Sequence, residues 1–138
     1  MPSPKFILLP NFFKQDNTMS TVLVVEDSPT QMDVITSCLQ KGGLTVLTAT
    51  DGKEAMSKIS NQKPDLIVLD VVLPDRSGFE LCRDLKAEST TSGIPIVICS
   101  TKSTDMDKFW GKKQGADAYI TKPVDQEELL KTVKQLIK

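Results

Sequence analysis

Five short runs of apolar, largely β-branched residues recur along the chain: TVLVV (21–25), LTVLTA (44–49), LIVLD (66–70), IPIVICS (94–100) and AYIT (118–121). Each is followed by a stretch with helical spacing, and no other feature constrains the fold as tightly. An uninterrupted apolar run suits a strand buried on both faces, whereas a strand with one wet face alternates. Strict alternation of such strands with helices implies a parallel sheet. Each parallel pair needs a crossover, and the crossover helices cover both faces.

The helices are marked by their punctuation. Ser28 can cap the first and Pro29 suits its opening turn; Met32, Ile35, Cys38 and Leu39 share a face, and Gly42-Gly43 stops it. Asp51-Gly52 opens a second helix to about Ser60, with Ala55, Met56 and Ile59 expected inward. A third runs from about Phe79 to Ala87 with Phe79, Leu81, Cys82 and Leu85 apolar, and a fourth from Thr104 to Gln114, ended by Gly115. The fifth starts at Asp125 and carries Leu129, Leu130, Val133, Leu136 and Ile137. The expected class is α/β, a (βα)5 flavodoxin-like, doubly wound parallel sheet in strand order 2-1-3-4-5.

These units fill residues 19–138 as one domain. Residues 1–18, MPSPKFILLPNFFKQDNT, hold three of the eight prolines and three of the five phenylalanines, a composition unlike that of the other 120 positions. They read as an extension outside the domain, either an upstream start or a tail docked on the surface.

Composition narrows function by exclusion. A net charge of −1 gives no basic field for nucleic acid or an anionic membrane. No apolar run approaches the roughly 20 residues that span a bilayer, so a cytoplasmic chain without membrane insertion is expected. Cys38, Cys82 and Cys99 are odd in number and set in apolar segments, which suits buried thiols in a reducing compartment. The chain has no histidine. That removes Ser-His-Asp and Cys-His catalysis, His-ligated zinc and a phosphohistidine role. Chemistry falls to carboxylates, hydroxyls, lysine and a metal.

In LIVLDVVLP (66–74) a lone carboxylate, Asp70, stands among apolar residues. Its burial without a partner would be costly, unless it ends a core strand and faces a site. In open α/β sheets ligands bind beyond the carboxyl ends of the strands. Those ends carry Glu26-Asp27, Asp70, Ser100 and, after the fifth strand, Lys122. In the order 2-1-3-4-5 the first and third strands are neighbours at about 4.8 Å, which would gather Glu26, Asp27 and Asp70 in one crevice. Like charges there require protons or cations, and oxygen donors with room for waters suit Mg²⁺. Lys122, two strands from Asp70, has a stem that could bridge most of about 10 Å. With the Ser100 hydroxyl, the set fits phosphoryl transfer to an aspartate. Plainer readings stand beside it: Asp27 as a helix cap, Glu26 and Lys122 as solvated charges, Ser100 as a strand-end hydroxyl, Tyr119 as packing.

VLVVEDS (22–28), DLIVLDVVLPDRSGFEL (65–81), PIVICST (95–101) and GADAYITKP (115–123), in that order, resemble the receiver domains of two-component signalling, the CheY-like response regulators, over roughly residues 20–138. The resemblance implies Asp70 as phosphoacceptor. It implies Mg²⁺ held by Glu26, Asp27, Asp70 and the backbone carbonyl of Val72, with Ser100 and Lys122 on the phosphoryl group. It also implies a cis Lys122-Pro123 peptide and Tyr119 as the aromatic switch. The donor would be a histidine kinase or phosphotransfer protein. The chemistry would be autocatalytic phosphotransfer and slow self-hydrolysis, without turnover of a separate substrate. The output would be a protein bound through the fourth strand, fourth helix and fifth strand, here with Lys102, Lys108, Trp110, Lys112, Lys113 and Tyr119. A stand-alone receiver in a motility, taxis or related pathway is expected, its oligomeric state left open.

Two departures bear on rate. Val72 stands where some relatives carry a polar side chain and cannot orient a water, so slow dephosphorylation is expected. Thr101, bulkier than the alanine of many relatives, would restrict access. Among rivals, a haloacid-dehalogenase-type phosphatase wants a second aspartate where Val72 stands. A flavin carrier wants a phosphate loop where EDSPTQ puts two carboxylates. A pseudo-receiver, a phosphorylation-independent interaction module, remains the alternative. Asp33, Asp75, Asp105 and Asp107 are read as solvated or capping charges.

Overall fold

The computed structural model describes residues 20–137. The extension read at residues 1–18 lies outside the described residues. Ten elements alternate: β1 (Thr21–Val25), α1 (Pro29–Lys41), β2 (Thr45–Ala49), α2 (Gly52–Asn61), β3 (Leu66–Leu69), α3 (Gly78–Ala87), β4 (Ile96–Ser100), α4 (Asp105–Lys113), β5 (Ala118–Thr121) and α5 (Gln126–Leu136). All strands are parallel, in the order β2-β1-β3-β4-β5.

The period-2 pleat divides the core between the two faces of the sheet. Val22, Val24, Val68, Val97 and Cys99 pack with Ile35 and Leu39 of α1 and Leu129 and Val133 of α5. Leu23, Val25, Ile67, Leu69 and Ile96 pack with Ala55 and Ile59 of α2 and Leu81, Cys82 and Leu85 of α3. Each large side chain so buried contributes about 1.5–3 kcal/mol as an upper figure. Continuous burial holds for β3 and β4 and nearly for β1, whereas the edge strand β2 is half-buried along most of its length.

One inward assignment is corrected. Met56 is 37% exposed. Ala55 and Ile59, four apart, form the buried stripe of α2, and Met56 sits one residue further round the helix.

Every helix opens on a side-chain cap. Ser28, Asp51, Ser77, Thr104 and Asp125 each accept a hydrogen bond from a backbone N–H two or three residues on, and Thr104 with Asp107 completes a reciprocal capping box. Gly115, at φ 101°, turns the chain after α4. Because each helix returns antiparallel to its strand, helix N-termini and strand carboxyl ends share one rim, and the polar residues converge there.

Candidate functional site

Four polar residues are buried as a whole among the described residues: Ser20, Glu26, Asp70 and Ser100. The last three lie at the carboxyl rim. Glu26 follows β1, and its N–H still donates to Ala49 O at 2.9 Å. Asp70 stands one residue past β3, its N–H donating to Val25 O at 3.1 Å. The two carboxylates therefore leave adjacent strands side by side, 2% and 7% exposed.

Lys122 binds both. Its Nζ donates to Asp70 Oδ2 at 3.0 Å and to Glu26 Oε1, and its side chain is 6% exposed. It follows β5, whose outer place in the sheet brings the lysine in from the side; the Lys122–Pro123 peptide is cis. The other oxygens are held by the backbone. Ser28 N–H donates to Glu26 Oε2 at 3.1 Å and Val72 N–H to Asp70 Oδ1 at 3.2 Å.

Gly78 makes that second arrangement possible. Its N–H donates to Val71 O at 2.7 Å, and a Cβ there would lie 2.1 Å from the carbonyl oxygen of Asp70. The β3–α3 connection thus folds back onto the backbone of Asp70 as only glycine permits.

Burial pushes the Glu26 carboxyl above its ordinary value; the hydrogen bonds from Lys122 and Ser28 pull it back without cancelling that effect, and Asp70 nearby adds to the rise. Burial alone would lower Lys122, but its bonds to Glu26 and Asp70 outweigh the loss of water and raise it. The two partners pull in different senses. The ammonium's direct contacts make its charged form the firmer assignment, and Glu26 is the member that gains a proton more readily than a free glutamate. The trio holds one more carboxylate than ammonium, and Asp27 adds another negative charge at its edge.

Asp27 is exposed, and its carboxylate joins no hydrogen bond or ion pair among the described residues. Ser28, not Asp27, caps α1. Glu26 and Asp70 meet through Lys122, while Asp27 makes no hydrogen bond or ion pair with any of the three. Among the described residues no three acidic, cysteine or histidine side chains already form a metal-holding group. The donor chemistry nevertheless fits Mg²⁺. That ion takes one or two carboxylates and keeps several waters. Here the oxygens are hard, and Asp27 is unengaged.

Ser100 is fully buried, and its Oγ accepts from Lys102 N–H at 3.2 Å. The Lys102 carbonyl accepts from the Tyr119 hydroxyl at 2.5 Å. One residue thus ties the buried serine to the tyrosine of β5. Burial, with the negative charges of Asp107 and Asp70, pushes the Tyr119 hydroxyl up to about 12. The neighbouring surface of α4 carries exposed Lys108, Lys112 and Lys113, with Met106, Phe109 and Trp110 70%, 56% and 49% exposed. Sequence reading named Trp110 and the lysines but missed Met106 and Phe109, although their spacing with Trp110 places all three on one side of a helix. Thr101 is exposed beside Ser100.

Asp75 was also missed as a structural clamp. Its carboxylate accepts from Gly52 N–H at 2.8 Å and Lys53 N–H at 2.9 Å, fastening the β3–α3 connection to the N-terminus of α2. Those hydrogen bonds draw its pKa below the ordinary aspartate value. Partners 22 and 23 positions away leave no local signal. A groove of about 800 Å³ between α2 and α3, lined in part by Met56, Ile59, Lys63 and Leu85, contains none of these site residues.

Comparison with known proteins bears on this arrangement. The family model of the response regulator receiver domain matches residues 22–134. Protein PilH of Pseudomonas aeruginosa is 44% identical over 119 residues, covering 86% of this chain and 98% of PilH. Among solved structures, a response regulator from Chloroflexus aurantiacus aligns with a TM-score of 0.83 at 30% identity, over 86% of this chain and 98% of that one. Chemotaxis protein CheY4 of Vibrio cholerae aligns with a TM-score of 0.79 at 35% identity, over the same shares. With a 2-1-3-4-5 parallel sheet and this pattern matched along nearly its whole described length, the chain belongs to the response regulator receiver domain family.

Proposed function

We propose that the chain is a phosphorylatable switch: Asp70 accepts a phosphoryl group from a partner histidine kinase or phosphotransfer protein, and the protein-binding surface changes in response. The observation that carries this is the buried pair Glu26 and Asp70 held on one ammonium, Lys122. A buried site with surplus negative charge must be relieved by a proton or a cation, and a divalent ion relieves it while leaving Asp70 free to act as a nucleophile.

The Asp70 carboxylate oxygen attacks phosphorus. A P–O bond forms to Asp70, the P–N bond of a phosphohistidine or the P–O bond of an acyl phosphate breaks, and the leaving group keeps the electron pair. Glu26, Asp27, Asp70 and the Val72 carbonyl are the groups that would hold Mg²⁺, which when bound neutralises charge on the transferring group. Lys122, already 3.0 Å from Asp70 Oδ2, supplies a second positive charge to the phosphoryl oxygens. The Ser100 hydroxyl donates to one of them from the adjacent strand. The Val72 side chain, with the residue 51% exposed at the mouth, carries no polar atom to orient water, so the phosphoryl group is lost slowly.

Output would pass through β4, α4 and β5, where exposed Met106, Phe109 and Trp110 share α4 with Lys108, Lys112 and Lys113 and, in its first turn, with Asp105 and Asp107. Exposed apolar anchors on one helix suit a protein partner. We assign the chain to the cytoplasm, in keeping with its three buried free thiols. We place it in a motility, taxis or related two-component pathway, given its likeness to a chemotaxis protein and to PilH along 98% of the latter. No observation favours the pseudo-receiver.

Incubation with acetyl phosphate and Mg²⁺, followed by intact mass, tests this. One added phosphoryl is expected on the wild type and none on Asp70→Asn. A wild type that gains nothing, and that binds no beryllofluoride in Mg²⁺, would leave the pseudo-receiver as the function.

A further inference from the structure

Gly111 lies inside α4, where glycine is the poorest helix former after proline. It is nonetheless buried, and it sits against the ring of Tyr119. A Cβ at this position would fall 2.9 and 3.0 Å from Tyr119 Cδ2 and Cε2, and 3.2 Å from Ile98 Cδ1. The nearer contact is roughly 0.6 Å short of an ordinary carbon–carbon approach of about 3.5 Å. Ile98 pairs with Tyr119 across the sheet and is fully buried, so the ring has no room to retreat toward the core. The half-buried ring could yield only toward solvent, which would separate its hydroxyl from the Lys102 carbonyl.

We propose that Gly111 is a positioning residue for the switch: by lacking a side chain it lets the Tyr119 ring lie against α4 with its hydroxyl on Lys102, and so couples Ser100 to the α4–β5 surface. The coupling half rests on the receiver function proposed above. The placement half rests on the contact alone. Lys102 is the common element, since its N–H serves Ser100 and its carbonyl serves Tyr119. A methyl group on α4, touching neither Asp70 nor Ser100, would then break the path from Ser100 to the α4–β5 surface.

The chain contains one tyrosine, so ¹³C-tyrosine labelling gives a single set of ring resonances. Spectra are compared for wild type and Gly111→Ala, free and with Mg²⁺ and beryllofluoride. The variant should show displaced Tyr119 ring resonances when free and less than half of the wild-type response to beryllofluoride. It should still gain one phosphoryl by intact mass. Ring resonances that superimpose on those of the wild type would overturn the proposal, as would a displaced ring with an undiminished response. If the wild type itself takes no beryllofluoride, the receiver function has failed, and with it the coupling half. The free-state spectra still decide the placement. Thermal melting supplies an independent arm. Gly111→Ala should lower the melting temperature beside Tyr119 and raise it in a Tyr119→Ala background, where the two ring contacts are gone and the 3.2 Å contact with Ile98 Cδ1 can relax into the vacated space. Failure of Gly111→Ala to fold while the double variant folds supports the contact, and a shift of the same sign in both backgrounds refutes it.

Discussion

Replacing Lys122 with methionine keeps the apolar stem and removes the ammonium shared by Glu26 and Asp70. At 3.0 Å and an effective dielectric constant of about 20, the Lys122–Asp70 pair has a gross attraction of about 5.5 kcal/mol, and the Glu26 pair is of the same order. The net effect is smaller, because the charges gave up water to meet; removing one partner of a buried pair costs about 3–5 kcal/mol. The carboxylates stand at the rim, where water re-enters the vacated space, which selects the low end, about 3 kcal/mol at pH 7.5 without divalent ions. With a urea slope of about 1.5 kcal/mol per molar, the midpoint should fall by about 2 M.

The loss has a pH signature. Burial already raises Glu26, and without the Lys122 hydrogen bond it rises further. A carboxyl whose folded pKa exceeds its unfolded one contributes stability below the unfolded value, and that contribution fades as pH rises through the folded value. The deficit of the variant should therefore shrink toward pH 5 and be full at pH 7.5. In the wild type, Lys122 is itself raised; its contribution is intact below the ordinary lysine value and is lost only as pH climbs through the folded one. Added Mg²⁺ should restore part of the stability of the variant. Urea melts followed by circular dichroism at pH 5 and 7.5, with and without Mg²⁺, measure all three effects. A wild-type midpoint, or a deficit indifferent to both pH and Mg²⁺, would refute the electrostatic account.

Gly78→Ala should cost about 3 kcal/mol or more and abolish phosphoryl uptake, because both atoms its Cβ would strike first, Asp70 O at 2.1 Å and Val71 Cα at 2.8 Å, are backbone; wild-type melting would contradict this. Cys99 and Cys82 are 1% and 0% exposed, with thiols pushed by burial up to about 12 and about 11. Their alkylation by iodoacetamide at pH 8 should be no faster than unfolding, and rapid labelling of the native protein would show the packing to be wrong. With Val72 unable to hold a water, the phosphoryl group on Asp70 should persist for minutes after acetyl phosphate is removed. A half-life of seconds in the absence of a phosphatase is the opposing result.

Much of the architecture was legible because it is local. β-branched runs mark β1, β3 and β4. Ser28, Thr104 and Asp125 act as caps within three residues of their partners. Strand order followed from the alternation and the family pattern, and the observed register agrees with it. Where the reading slipped, the cause was packing between elements: Met56 lost its inward place to Ala55 and Ile59.

From sequence alone came the candidates: which carboxylates, hydroxyl and lysine stand at strand ends, since the end of an apolar run is visible in the run itself. Only the tertiary structure decided who touches whom. Lys122 meets Asp70 and Glu26 across 52 and 96 positions of chain, Asp27 is left outside that trio, and Asp75 clamps α2. Those pairings depend on how the strands stack side by side and on which charge has lost its water, and neither quantity is a property of any short stretch of chain.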